Sequence, residues 1–169
     1  MAVFAPLFKA LNDADIRYVV VGGLAVVLHG YARLTVDVDL VVDLDEEQAK
    51  KTIDALVEMG LQPRVPVDPI QFADRSIREG WIRDRGMQVF SMFDPSNPMR
   101  VVDLFVDHPL PFEDLWARST KFELQDTTVW VASIPDLIHL KRLAGRPHDQ
   151  ADIEKLEAIL QAKKKSEND

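Results

Sequence analysis

Two aspartates one residue apart, Asp37 and Asp39, stand inside the apolar run "LTVDVDLVVD". Side chains alternate across an extended chain, so Thr35, Asp37 and Asp39 share one face and Val36, Val38 and Leu40 the other. The two carboxylates then lie roughly 7 Å apart along the strand. Anions held that close repel unless a cation lies between them. Hard oxygen donors of this kind suit Mg²⁺, whose remaining positions go to water and to substrate phosphates. Such a cation activates a nucleophile or neutralises a leaving pyrophosphate. A solvated acidic edge is the plainer alternative. The continuation "DLVV" opposes it, because it reads as a strand buried on both faces.

Upstream, "RYVVVGGLAVVLHGY" runs from an apolar strand through Gly22 and Gly23 into a short helix. Adjacent glycines there let backbone N–H groups approach a phosphate closely. The dinucleotide-binding spacing G-x-G-x-x-G is not met by Gly22, Gly23 and Gly30. A tight strand-to-helix turn that needs small residues explains the glycines equally well. Downstream, Ile134, Leu137, Ile138 and Lys141 form one helical stripe. A lysine on such a stripe is costly unless its ammonium meets an anion or reaches solvent from the stripe's end. Asp149 and Asp152 head the next helix. They suit capping of that helix, or pairing with Lys141 or Arg146.

The elements that would position these residues follow from periodicity. Val3 to Asn12 reads as an amphipathic helix and "DEEQAKKTIDALVEMG" as a helix ended by Gly60. The region from Pro63 to Pro69 reads as loop. "PIQFADRSIREGWIRDRG" reads as a helix followed by a turn, and "PFEDLWARS" as a helical turn. "MQVFSMFD" and "MRVVDLFVD" are strands joined by "PSNP", and "KFELQDTTVWVAS" is a hairpin. Two helices, "IPDLIHLKRLAG" and "HDQADIEKLEAILQAKK", close the chain. Neighbouring strands mixed with helices make the fold class α+β, a small mixed sheet flanked by helices. One domain over residues 1–162 and a flexible charged tail over 163–169 are expected.

Composition narrows the chemistry. The chain has 169 residues, no cysteine and a formal net charge of -8. Thiolate nucleophiles, thiolate metal sites and disulfides are excluded. The acidity opposes extended nucleic-acid binding through phosphate neutralisation. No apolar run reaches the ~18 residues of a membrane span, and a cytoplasmic location is expected. Six arginines gather between Arg64 and Arg100 against five acids. Of these, Arg75, Arg78, Arg83 and Arg85 offer at most a local basic face. His29 closes the short helix in a structural position. His108, His139 and His148 lack metal-ligand spacing.

Taken together, strand, "GG", helix and "DVD", with thirteen residues between Gly23 and Asp37, resemble the polymerase-beta-like nucleotidyltransferase superfamily. The string "GGLAVVLHGYARLTVDVDLVV" is similar to its minimal bacterial branch, which includes abortive-infection-type nucleotidyltransferase toxins. The resemblance implies a nucleotidyltransferase fold with two C-terminal helices. It implies a third carboxylate from a neighbouring strand, either Asp103 or Asp107, with Asp103 the better match. Asp37, Asp39 and Asp103 would hold Mg²⁺ or Mn²⁺, and Asp103 would also serve as base toward an incoming hydroxyl. Gly22, Gly23, Arg33, Thr35 and Lys141 would bind the nucleotide. The implied reaction moves a nucleoside monophosphate from a nucleoside triphosphate to a hydroxyl on a small molecule, an RNA or a protein. A partner protein or self-association would complete the acceptor pocket. A retired enzyme serving as a binding or regulatory module is the rival reading. Many members carry serine where this chain has Gly23, so one hydroxyl contact to phosphate is absent here.

Overall fold

The computed structural model describes residues 2–168. After a 3-10 turn at Ala2–Phe4 come α1 (Ala5–Asp13), β1 (Tyr18–Val21), α2 (Gly22–Leu28), β2 (Asp37–Val42) and α3 (Glu46–Glu58). The middle of the chain forms β3 (Gln62–Pro63), a 3-10 turn at Pro69–Ala73, α4 (Arg75–Arg85), β4 (Val89–Asp94) and β5 (Asn97–Phe105). It ends with α5 (Phe112–Arg118), β6 (Thr120–Leu124), β7 (Thr127–Val131), α6 (Ile134–Ala144) and α7 (Asp149–Glu167).

The seven strands form one sheet in the order β3-β4-β5-β2-β1-β7-β6. β2 lies between β1, to which it is antiparallel, and β5, to which it is parallel. The sheet is therefore mixed, as the α+β reading expects. Cross-strand pairing divides its two faces. Tyr18, Val38, Leu40, Val42, Phe90, Met92, Val102 and Leu104 fall on one face and are buried. α1, α3 and α4 cover that face. Phe8 stacks on Tyr18, and Phe72 and Trp81 close over Phe90. Asp37, Asp39, Asp103 and Ser91 fall on the other face, beside α2 and α6. Period-2 alternation thus separates a hydrocarbon core from an acidic face within the same strands.

Several boundaries differ from the sequence reading. Thr35 is not in β2, which begins at Asp37. The connection 29–36 carries Arg33 and Thr35 outside the sheet. β5 ends at Phe105, so Asp107 lies beyond the strand. Pro63 belongs to the short edge strand β3, whose proline nitrogen needs no partner at an edge. "PIQFADRSIREGWIRDRG" divides into a 3-10 turn and α4, capped by the Asp74 side chain and ended by Gly86 with φ 60°. Of the expected flexible tail 163–169, residues 163–167 continue α7 as an exposed helix, and Asp169 lies outside the described residues. Among the described residues no helix is long and apolar enough to cross a membrane.

Candidate active site

β1 is buried along its whole length and ends at Val21, opposite Asp39 of β2. The chain turns there into α2 through Gly22, whose φ is +67°. A Cβ on Gly22 would lie 2.1 Å from Asp39 Oδ2. The glycine is therefore required twice, for its left-handed backbone and for the carboxylate packed against it. Gly23 is less constrained. A Cβ there would meet Thr35 Oγ1 at 3.0 Å and Arg33 Cζ at 3.6 Å. Arg33 and Thr35 thus lie over the glycine turn, brought there by the 29–36 connection.

Asp39 is directly opposite Asp103 on the parallel strand β5, and Asp37 is opposite Val101. Adjacent strands are about 4.8 Å apart, so the two facing acids share one surface. The effect is visible in the protonation of Asp39. Burial pushes the Asp39 carboxyl up to about 6, Asp103 and Asp37 add to the rise, and Arg146 and Lys141 oppose it. Asp37 is raised too, mainly by burial and then by Asp103, with Arg64 opposing. Such displaced carboxylates in a cleft are a common mark of a site for cations or for proton transfer.

Asp103 is held by a residue that the sequence reading did not single out. Ser91 on β4 faces Asp103 across the ladder, and its hydroxyl donates to Asp103 Oδ1. Among the described residues, no three acid or imidazole side chains converge as a ready-made metal shell. The donor set still fits a hard cation. Mg²⁺ commonly takes one or two protein carboxylates and completes its octahedron with water and phosphate oxygens. Asp39 and Asp37, raised first by burial and then by neighbouring acids, are donors that such a cation would stabilise as carboxylates.

Lys141 is 5% exposed, and its ammonium is already partnered. It donates to Asp149 Oδ1 at 3.2 Å and to Asp152 Oδ2 at 2.7 Å. Arg33 also donates to Asp152, and Arg146 Nε reaches Asp149 Oδ2 at 3.0 Å. The two acids at the head of α7 thus pair with cations, and no side-chain cap is formed at the residue before that helix. Burial alone would push the Asp149 carboxyl up, but Arg146 and Lys141 outweigh it and the net displacement is downward. Three cations meet two carboxylates here, leaving one positive charge in excess beside the acids of β2 and β5.

Gly22, Asp39, Asp103, Lys141 and Arg146 line one cleft of about 630 Å³, together with apolar residues that include Ile82, Met87, Leu140 and Leu143. Asp107, two residues past the end of β5, lines the cleft as well. Asp37 continues the acidic face beside it. Gly23, Arg33 and Thr35 adjoin the turn and do not line the cleft. His29 is buried, with Nε2 on the carbonyl of Ala132 at 2.8 Å, a structural role.

The chain matches, over residues 7–164, the family described as "Nucleotidyl transferase AbiEii toxin, Type IV TA system". Among solved structures it is similar to the lincosamide antibiotic adenylyltransferase LnuA in its lincomycin-bound form. That match has 17% identity and a TM-score of 0.59, covering 94% of this chain and 96% of that one. It is similar also to ANT(2")-Ia in complex with adenylyl-2"-tobramycin, with 13% identity and a TM-score of 0.62, covering 96% and 90%. A nucleotidyltransferase-like protein from Paracoccidioides brasiliensis matches at 17% identity and a TM-score of 0.55, covering 95% and 74%. At these identities the structures share a fold with this chain. A comparison with curated protein sequences finds no match.

Proposed function

We propose, for a chain that belongs to the AbiEii nucleotidyl transferase toxin family, a specific site and course for its nucleotidyltransferase reaction. Asp37, Asp39 and Asp103 are the ligands of a divalent cation, Mg²⁺ or Mn²⁺. When bound, that cation supplies charge neutralisation for the triphosphate and the departing pyrophosphate. The observation that carries this reading is the facing pair Asp39–Asp103 beneath the Gly22 turn, in one cleft with Lys141.

In the proposed course, the triphosphate lies over the Gly22–Gly23 turn, where the missing side chains allow backbone N–H groups close to it. Arg33 and Thr35 border it from the 29–36 connection. Lys141 and Arg146 face it from α6 and the loop beyond, with the network's excess positive charge directed at the phosphates. The acceptor hydroxyl loses its proton to Asp103 as its oxygen attacks the α-phosphorus. The bond from that phosphorus to the bridging oxygen of the β-phosphate breaks, and pyrophosphate leaves with the electron pair. The protein contributes position and preorganised charge rather than covalent chemistry.

The acceptor is a small molecule, an RNA or a protein. The adenylyltransferases of shared fold are named with antibiotics, lincomycin and tobramycin, which supports a hydroxyl-bearing acceptor. A partner protein or a second copy would complete the acceptor side of the cleft.

The test incubates the protein with each labelled triphosphate in turn, Mg²⁺ or Mn²⁺, and a cell extract, then fractionates the product. Label enters one class of acceptor and pyrophosphate is released. Asp37→Ala and Asp39→Ala lower the transfer at least a hundredfold. Triphosphate binding without pyrophosphate release, or transfer indifferent to both substitutions, defeats the reading.

A further inference from the structure

We infer that Ser91 is a positioning residue for Asp103, setting the carboxylate that the proposed reaction uses. The inference rests on the reading of Asp103 given above. Ser91, Asp103 and Asp39 stand in one line across three strands, because Ser91 pairs with Asp103 and Asp103 with Asp39. The Ser91 hydroxyl donates to Asp103 Oδ1. Among the described residues no donor reaches Asp103 Oδ2.

Alternation on β4 makes the placement specific. Phe90 and Met92 point into the core and are fully buried. Val89, Ser91 and Phe93 face the acids' side, and Ser91 alone of these carries a side-chain donor. Its backbone is fixed as well, since its carbonyl accepts from the Arg64 N–H at 3.0 Å. A carboxylate's last torsion is broad and two-fold, so an aspartate without such a donor samples many orientations. β4 and β2 flank β5 on opposite sides. Tying Oδ1 on the β4 side keeps Oδ2 for the β2 side, where Asp39 and an approaching substrate lie. A hydrogen bond to an ionised group is among the stronger ones available for this task.

The experiment compares Ser91→Thr with Ser91→Val, two variants of one shape that differ in the hydroxyl, with Ser91→Ala beside them. Mn²⁺ uptake is followed by electron paramagnetic resonance, thermal unfolding reports folding, and label transfer is measured against triphosphate concentration. The expected result is a folded valine variant that binds Mn²⁺ three- to tenfold more weakly. Its kcat falls ten- to hundredfold while KM for the triphosphate stays within twofold. Threonine restores both quantities to within about threefold of wild type. Unchanged or tighter Mn²⁺ binding with unchanged kcat in the valine variant overturns the inference. So does a folded threonine variant as impaired as valine. A wild-type protein that takes up no Mn²⁺ defeats the metal-site reading first, and this inference with it.

Discussion

At the scale of single residues, the two glycines of the turn are not equivalent. Gly22 has a left-handed backbone, and a Cβ there would fall 2.1 Å from an Asp39 oxygen. Any side chain must either unwind the turn or displace the carboxylate. Gly22→Ala is expected to abolish label transfer, by more than about a hundredfold, while circular dichroism still reports a folded protein. Gly23 has no such backbone, and the nearest atom to its would-be Cβ is the hydroxyl oxygen of Thr35 at 3.0 Å. A shift of a few tenths of an ångström accommodates it. Gly23→Ser is therefore expected to keep transfer within about fivefold of wild type in the same assay, with the added hydroxyl aimed at the triphosphate. If both substitutions are equally damaging, the close packing of Asp39 against Gly22 is not what selects glycine there.

At the scale of elements, α6 and α7 are fastened together, and to the 29–36 connection, by charge. Lys141 of α6 sits between Asp149 and Asp152 of α7, and Arg33 reaches across to Asp152. Removing the central cation leaves two buried carboxylates, each still holding one arginine. Breaking a buried pair commonly costs about 3–5 kcal/mol, and the remaining arginines place Lys141→Met near the lower end. Urea unfolding checks this value, and adding Asp152→Asn to Lys141→Met should recover at least half of the loss. Activity lost in Lys141→Met alone therefore reports folding as well as the proposed phosphate contact. This network was only partly legible in the sequence. The stripe of Ile134, Leu137, Ile138 and Lys141 announces a lysine that needs an anion. The identity of that anion depends on how α7 folds back, which no local spacing encodes. Asp37 and Asp39 were legible because alternation within one strand is a local rule. Their alignment with Asp103, and Ser91 behind it, depends on register across β2, β5 and β4, which is a tertiary property. Thr35 misled for a related reason: its β-branched, apolar surroundings continue the strand pattern, yet the ladder begins only at Asp37.

At the scale of the whole molecule, the site costs stability. Asp39 titrates near 6 in the folded protein against an ordinary value of 3.8. The folded state then holds a proton that the unfolded state has released between those values, so stability falls as pH rises through that window. Above pH 6 the charged Asp39 opposes folding by on the order of 3 kcal/mol or less. Asp39→Asn, measured without metal, is expected to melt about 3–8 °C above wild type at pH 7.5 and to match it at pH 4. A difference that does not change with pH would show that the strain on Asp39 is not electrostatic. The seat of this unfavourable charge is β2, which is bound along both edges, by β1 and by β5. Sliding it one notch would present valines to the substrate and drive two anions into the hydrocarbon behind. Its two neighbours proofread the reading frame in space and fix which side the aspartates face.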